Sequence, residues 1–524
     1  MARLARWPHD RGHAFETDRG VGLIEESCIS TATLWEPTRR QFGALAAAGL
    51  GSFCAGCAVN PATGGQQVML MSADEERRIG AAEHPKILQE FGGAYEDPKV
   101  SGYIAAIGGR LASATELPGE NFTFTVLNSP IVNAMALPGG YVYVTRGLLA
   151  LAQNEAEAAG VIGHEIGHII ARHTAARISR AQVTQFGLIG LAILGGVAGL
   201  PSGTGQIANS LASLHLRGFS RDQEFEADTL GIRYMSRAGY DAGAMASFLA
   251  QLRAHASLRA QIKGEAPDAV DSFDIMATHP RTLDRIKLAT TAAGPVPGQA
   301  RNLHRKVYQS AIDGMIFGDD PDFGVIRGRK FAHRALRFRF EVPKGFTLIN
   351  QPNAVIARNK QLRSTIIFDL DRRRSGNAMT SYLVRDWAKS RMNDVVSLTV
   401  NGLPAATGWF VANTKKGQMM VRLLAIRGGP SEIFRFMFLT PPAVTERLSV
   451  PFRRTTYSFG RLSRKEAAEI TALRLTIRRR RNESLKSLVR RMQVDSYADG
   501  WFELLNGFAS GNTPKRGDAV RLVV

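Results

Sequence analysis

With 524 residues, 44% of them hydrophobic and 21% charged, the chain has the make-up of a globular protein of roughly two to four domains, which excludes disordered and fibrous classes. Its formal charge of +20, from 66 Lys and Arg against 46 Asp and Glu, favours an anionic partner: nucleic acid, anionic lipid or acidic wall polymer. No zinc finger, RRM-like signature or basic-aromatic repeat occurs, so nucleic acid is the one set aside.

Residues 1–38 read as an upstream extension, charged and without apolar period, as if the start were assigned too early. In segment 39–57, Arg39 and Arg40 precede an uncharged run from Gln41 to Gly56, the pattern of an export signal and too short to span as a mature helix. Ala55 and Gly56 before Cys57 resemble a bacterial lipobox, which implies lipidation of Cys57 and a membrane anchor; Cys54 stands where such boxes usually carry an aliphatic residue. The plain alternative is a short buried apolar helix with an incidental cysteine. Cys28 and Cys54 are the other cysteines, so nothing after Cys57 forms a disulfide.

Residues 58–300 read as one domain. A polar tether (58–65) leads to a helix opened by a capping box, Ser72 with Glu75 three residues on. Pro98 to Ala114 has a helical period, and Phe122 to Leu127 and Tyr141 to Thr145 alternate as strands. Asn154 caps a long helix running to about Arg177. The uncharged stretch Ala181 to Leu214 has an apolar core, Phe186 to Leu200, below the ~18 residues of a membrane span, and reads as a helical hairpin or lid. Helices follow at Gln223 to Ala238 and Pro280 to Ala289. Residues 325–465 mix short strands (Arg337 to Val342, Ser364 to Asp369, Gln418 to Ala425, Ile433 to Leu439) with a helix at Met379 to Arg391, a separate α+β domain. It lacks clustered metal-ligand residues, so a binding or positioning role is its default. Residues 474–524 form a third unit.

His164-Glu165-Ile166-Gly167-His168 is an H-E-x-x-H motif. Histidines four apart lie one turn apart on one helix face, so both imidazoles reach one tetrahedral metal. Glu165 sits ~100° around the helix, placed to take a proton from a metal-held water. The surrounding Val161, Ile162, Ile166, Ile169 and Ile170 bury this helix, and buried polar groups need partners. Position 174 is Thr rather than a third histidine, and His173 reads as a helix-end or surface residue. The third ligand is better sought in Glu224-Phe225-Glu226-Ala227-Asp228: Glu224 and Asp228 share a helix face, one carboxylate for the metal and one to accept the N–H of a ligand histidine. The bland alternative is a solvated acidic face.

Taken together, these motifs resemble the zinc metallopeptidases related to HtpX, the mitochondrial Oma proteases, the CAAX prenyl endopeptidases and the periplasmic protease BepA, over roughly residues 58 to 290. The resemblance implies one Zn2+ on His164, His168 and Glu224, catalysis by Glu165, and a mostly helical zincin fold of gluzincin type with a small edge-strand sheet. Asn133, Ala134, Met135 and Ala136 resemble the edge strand that pairs with an extended substrate. Thr278-His279-Pro280 and Arg285 resemble the last active-site element, with His279 close to the metal and Arg285 on the substrate carbonyl or oxyanion. On residues alone, His279 is a helix N-terminus before proline and Arg285 an exposed helix residue. Residues 474–524 resemble a LysM-type βααβ module through Ser484-Leu485-x-x-Leu488, Leu505 to Phe508 and Pro514 to Leu522, which implies peptidoglycan contact; Arg481-Asn482-Glu483 replaces the usual Gly-Asp-Thr, and a docking domain that keeps only the fold is the alternative. The fold class expected overall is α+β. The function expected is zinc-dependent endopeptidase action on unfolded or misassembled envelope proteins, at the periplasmic side of the cell envelope. The alternatives are a chaperone-like assembly factor with a structural zinc, and a peptidoglycan-associated peptidase.

Overall fold

The computed structural model describes residues 57–180, 218–265, 282–293, 302–414, 417–508 and 513–524. The upstream extension, nearly all of the signal segment, the apolar stretch 186–200 and His279 lie outside the described residues, and Cys57 is described only in its backbone. Among the described residues, no helix is long and apolar enough to cross a membrane.

A hairpin of β1 (Cys57–Val59) and β2 (Gln66–Val68) leads to α1 (Ala73–Glu90), whose capping box closes between Ser72 and Glu75 as the sequence requires. Helix α2 (Pro98–Ala112) buries Val100, Ile104, Ile107 and Leu111, the i, i+4, i+7, i+11 stripe. Strands β3 (Thr123–Leu127), β4 (Ala134–Leu137) and β5 (Tyr141–Thr145) form a sheet in the order β3-β5-β4, with β4 antiparallel to β5 and on the outside. Gly139 and Gly140, at φ +79° and +90°, make the turn into β5; a Cβ on Gly140 would lie 1.9 Å from the Asn121 carbonyl oxygen.

Helix α3 (Arg146–Leu151) precedes α4 (Glu155–Ile170), which is buried along almost its whole length and capped by the Asn154 side chain. The long helix expected to about Arg177 is broken. Ala171 and Arg172 form a turn, Arg172 adopts φ +56°, and residues 173–180 begin a new helix. Arg172 is fastened in that turn by Glu76 and by the Met71 carbonyl. Helices α5 (Arg221–Arg237), α6 (Ala244–Ile262) and α7 (Thr282–Ala293) pack around α4 and one another.

After α8 (Arg305–Ile312) and the two-residue β6 (Ile316–Phe317), the chain enters the middle domain. Strands β7 (Val325–Arg327), β8 (Lys330–His333) and β9 (Phe338–Glu341) form a small sheet that β17 (Gly460–Arg461) completes beside β9. Strands β10 (Thr347–Gln351), β11 (Ala354–Asn359), β12 (Ser364–Asp371), β13 (Asn393–Val400), β14 (Leu403–Thr414), β15 (Gly417–Gly429) and β16 (Glu432–Thr440) form an antiparallel sheet, ordered β10-β11-β12-β16-β15-β14-β13. One face packs its Phe434, Phe436 and Phe438 under α9 (Pro442–Ser458) and the small sheet; the other packs under the helical segment 379–388, most of it π-helix.

The third unit is not separate. Strand β18 (Leu473–Arg479) pairs with β6 on one side and with β19 (Ala519–Val523) on the other, and α10 (Leu485–Val489) and α11 (Ala498–Leu505) lie between them in sequence. The β-α-α-β order is as expected, but Leu475, Phe502, Val520 and Leu522 join the same core as α2, α4 and α6. Arg521, 1% exposed, reaches into that core and donates to the carbonyls of Ala150, Ala152 and Gln153, just ahead of α4. The middle domain is thus inserted between two strands of one sheet.

Candidate metal and active site

Helices α4 and α5 approach closely because both present glycine at the contact. A Cβ on Gly231 would sit 2.9 Å from the backbone nitrogen of His164, and one on Gly167 would sit 3.0 Å from the Ala227 carbonyl oxygen. This separation lets ligands from two helices share one centre. Gly231→Ala is therefore expected to push the helices apart, costing about 1–3 kcal/mol. Its melting temperature and its zinc affinity should fall together; a variant unchanged in both would refute the role given to that contact.

His164 and His168 project from α4 and Glu224 from α5, all buried. His164 Nε2 lies 3.1 Å from His168 Nε2, and the Glu224 carboxylate oxygens lie 3.6 Å from each of those nitrogens. Tetrahedral bonds of about 2.0–2.2 Å separate their donors by about 3.4 Å, so two imidazoles and a carboxylate at these spacings fit a zinc ion. Burial pushes the His168 imidazole well below its usual range against the pull of Glu224, which leaves it neutral and able to donate a lone pair.

The residues behind these donors are equally ordered. Asp228 Oδ1 lies 2.8 Å from His164 Nδ1. With Nε2 turned to the shared centre, Nδ1 carries the proton and donates it to Asp228, which fixes the ring. Arg285 grips Asp228 with two bonds of 2.7 Å and places Nη1 3.0 Å from Glu224. Burial alone would raise the Asp228 carboxyl; the charge and hydrogen bonds of Arg285, with the bond from His164, bring it down to about 2. Arg285 is buried rather than exposed as its residues alone suggested, because α7 packs against α5 and its charge is matched by two carboxylates. Its Nε and Nη2 serve Asp228 and its Nη1 faces Glu224, on the side of the site where the three donors converge. Glu165 is buried beside His164 and within electrostatic reach of Arg285.

His173 departs from its reading as a helix-end or surface residue. It opens the new helical segment as that reading allowed, but it is 2% exposed, and its Nδ1 lies 2.8 Å from Nδ1 of His168. Residue i+5 of an unbroken helix would be turned ~140° away from residue i; the turn at Arg172 brings His173 round. With His168 Nε2 at the centre, its Nδ1–H donates to His173 Nδ1, and His173 Nε2–H donates to Glu226 Oε2 at 3.1 Å. Asn60 Nδ2 donates to the other Glu226 oxygen at 2.7 Å. The His168→His173→Glu226 relay stands beside a second set in which Asp228 accepts from both His164 and Arg285. The only sequence signals were a histidine five after the motif and a second glutamate two after Glu224. His173→Phe is expected to weaken zinc affinity about 10–100-fold with the fold retained, read by competition with a chromogenic chelator; unchanged affinity would count against it. Phe219, stacked on the His168 ring at 3.9 Å and with the Arg177 guanidinium 4.4 Å from its ring centroid, is a further site neighbour that the sequence did not mark.

Of the residues expected to pair with substrate, Ala134, Met135 and Ala136 lie in β4 opposite Val144, Tyr143 and Val142, at the outside of the sheet and against α4. Asn133 precedes the strand, its N–H and C=O tied to Thr145.

Residues 98–293 match the model of Peptidase family M48. The chain is 33% identical over 208 residues to the mitochondrial metalloendopeptidase OMA1 of Arabidopsis thaliana, covering 39% of this chain and 38% of the relative. It is 32% identical over 223 residues to a putative beta-barrel assembly-enhancing protease of Vibrio cholerae, covering 41% and 43%. To the beta-barrel assembly-enhancing protease of Escherichia coli K12 it is 31% identical over 224 residues, covering 41% and 42%. The chain thus spans about two-fifths of the length of these relatives.

Proposed function

We propose that this chain, whose residues 98–293 are a peptidase family M48 domain, is a zinc-dependent endopeptidase of the cell envelope that acts on unfolded or misassembled envelope proteins. The observation that carries the reading is the convergence of His164, His168 and Glu224, each buried and each hydrogen-bonded or charge-matched from behind. A merely solvated acidic face shows none of this.

Zinc, when bound, supplies a Lewis acid that polarises the scissile carbonyl and acidifies a water. The chain's own residues do the rest. His164, His168 and Glu224 hold the ion; Asp228 with Arg285, and His173 with Glu226, hold the two imidazoles in one tautomer and orientation. Glu165 takes the proton of the attacking water and delivers it to the leaving amine. Strand β4 offers main-chain groups to an extended substrate, which reads backbone rather than side chains and suits unfolded protein. The names of the bacterial relatives, beta-barrel assembly-enhancing proteases, support the envelope address. A lipid on Cys57, the first residue of the hairpin that supplies Asn60 to Glu226, would tether the site to a membrane.

The test is metal analysis with a casein-cleavage assay on the purified chain. Stoichiometric zinc is expected, with cleavage abolished by chelation and restored by added zinc. A chain that takes up zinc and leaves casein intact would overturn the enzymatic reading.

A further inference from the structure

The charge of this chain is not spread along it. Residues 325–465 contain 27 Lys and Arg against 7 Asp and Glu, a net +20 equal to that of the whole chain; the remainder holds 39 of each sign. The inserted domain is therefore a strongly cationic body built into a neutral one.

The sheet topology gathers part of this charge at one edge. Strands β12, β13 and β15 end, and β14 and β16 begin, at the same side of the antiparallel sheet, so the loops 372–378, 401–402 and 430–431 are neighbours. The last turn of α9 joins them, because Asn401 donates to the carbonyls of Tyr457 and Phe459. This edge carries Arg372, Arg373 and Arg374, then Arg427 and Arg461, and one turn back along α9 Arg453 and Arg454. Its acidic groups are few and engaged: Asp371 with Arg373 and Tyr382, Glu432 with Arg461. Arg372, Arg374, Arg453 and Arg454 are exposed.

Between the loops lies a cleft of 470 Å³, lined by Arg374, Arg427, Leu403, Pro404 and the turn Gly428 to Pro430. Ser375 also lines it, and its buried Oγ has no hydrogen-bond partner among the described residues. Arg427 holds the loop by donating to the Ser375 and Asn377 carbonyls. Exposed apolar groups stand beside the cations: Val450 is 49% and Tyr457 48% exposed on the outer face of α9, next to Arg447, Arg453 and Arg454. Arginines mixed with an exposed tyrosine and aliphatic side chain match the interface of a bilayer, where ring and alkyl groups enter the headgroup layer and guanidinium groups meet phosphates.

We propose that this edge of the middle domain is a docking site for the surface of an anionic phospholipid bilayer, with a glycerophosphate headgroup seated in the cleft beside Arg374. A rigid nucleic-acid duplex would use the charge but leaves Val450 and Tyr457 without a role.

The test is cosedimentation of the purified chain carrying Cys57→Ser, which cannot take a lipid at that position, with vesicles of phosphatidylcholine alone or with about one-third phosphatidylglycerol. Binding is expected only to the anionic vesicles, and it should weaken steeply with salt. Each basic residue near such a surface contributes about 1 kcal/mol, or about five-fold. Replacing Arg372, Arg374, Arg453 and Arg454 together by Ala should therefore lower the partition coefficient several hundred-fold and leave casein cleavage unchanged. Should that variant unfold, Arg374→Glu alone should still cost more than about five-fold by the same figure. Equal binding of a folded variant overturns the proposal, as does equal binding to pure phosphatidylcholine. So does tighter binding to a DNA duplex at the same ionic strength, or stabilisation by inorganic phosphate without vesicle binding.

Discussion

Glu165→Gln is expected to bind zinc as tightly as the parent chain and to cleave unfolded casein about 100–10,000-fold more slowly. The replacement has nearly the same shape and sits in a helix buried along almost its whole length, so α4 should not shift. It leaves His164, His168 and Glu224, and therefore the metal, untouched. What it removes is a carboxylate able to take and return a proton next to the reacting carbonyl. Zinc analysis, melting temperature and cleavage rate measured on one preparation separate the outcomes. Zinc retained with the rate lost confirms the proton-transfer role, while an unchanged rate would move that role to another group.

A chain ending at residue 472 is expected to fail as a folded peptidase, not merely to lose a targeting function. It would delete Leu475, Leu488, Phe502, Leu505, Val520 and Leu522, all essentially inaccessible and packed in the core shared with α2, α4 and α6. At about 1.5–3 kcal/mol for each buried side chain, the loss is roughly 9–18 kcal/mol. The whole stability of a typical domain is about 5–15 kcal/mol, so the deletion exceeds what the fold has in reserve. Arg521 adds to this, because without its guanidinium the carbonyls of Ala150, Ala152 and Gln153 lose their donor just ahead of the zinc-motif helix. Circular dichroism and cleavage of the truncated chain decide it: a soluble, cooperatively melting, active product would show that the last fifty residues are a free module.

Much of the site was legible because its chemistry is local. Two histidines four apart need only a helix to share a face, and Glu224 with Asp228 repeats the rule on a second helix. What the sequence did not disclose depends on contacts between elements. The turn at Arg172 has no glycine or proline to announce it; its conformation is held by Glu76 and Met71, almost a hundred residues earlier. His173 could not be placed without that turn. Arg285 looked exposed because a lone arginine on a short helix usually is, and only the packing of α7 on α5 buries it. Four middle-domain strands alternated as strands do and were found within a few residues of where they were expected, while β7, β8, β10, β11, β13 and β14 were not read from the sequence. The union of the last fifty residues with the peptidase core was hidden because β6, their sheet partner, is only two residues long.

The pairing of Leu473 with Phe317 and of Arg474 with Ile316 sets the host strands that flank the middle domain at the spacing of adjacent strands. A polypeptide that leaves and re-enters its host through such a narrow doorway has the layout of a cassette: excising residues 325–465 and bridging the gap with a short linker is expected to leave the host sheet whole. Swapping that cassette would re-address the proposed peptidase to another surface and leave the His164, His168 and Glu224 site in place.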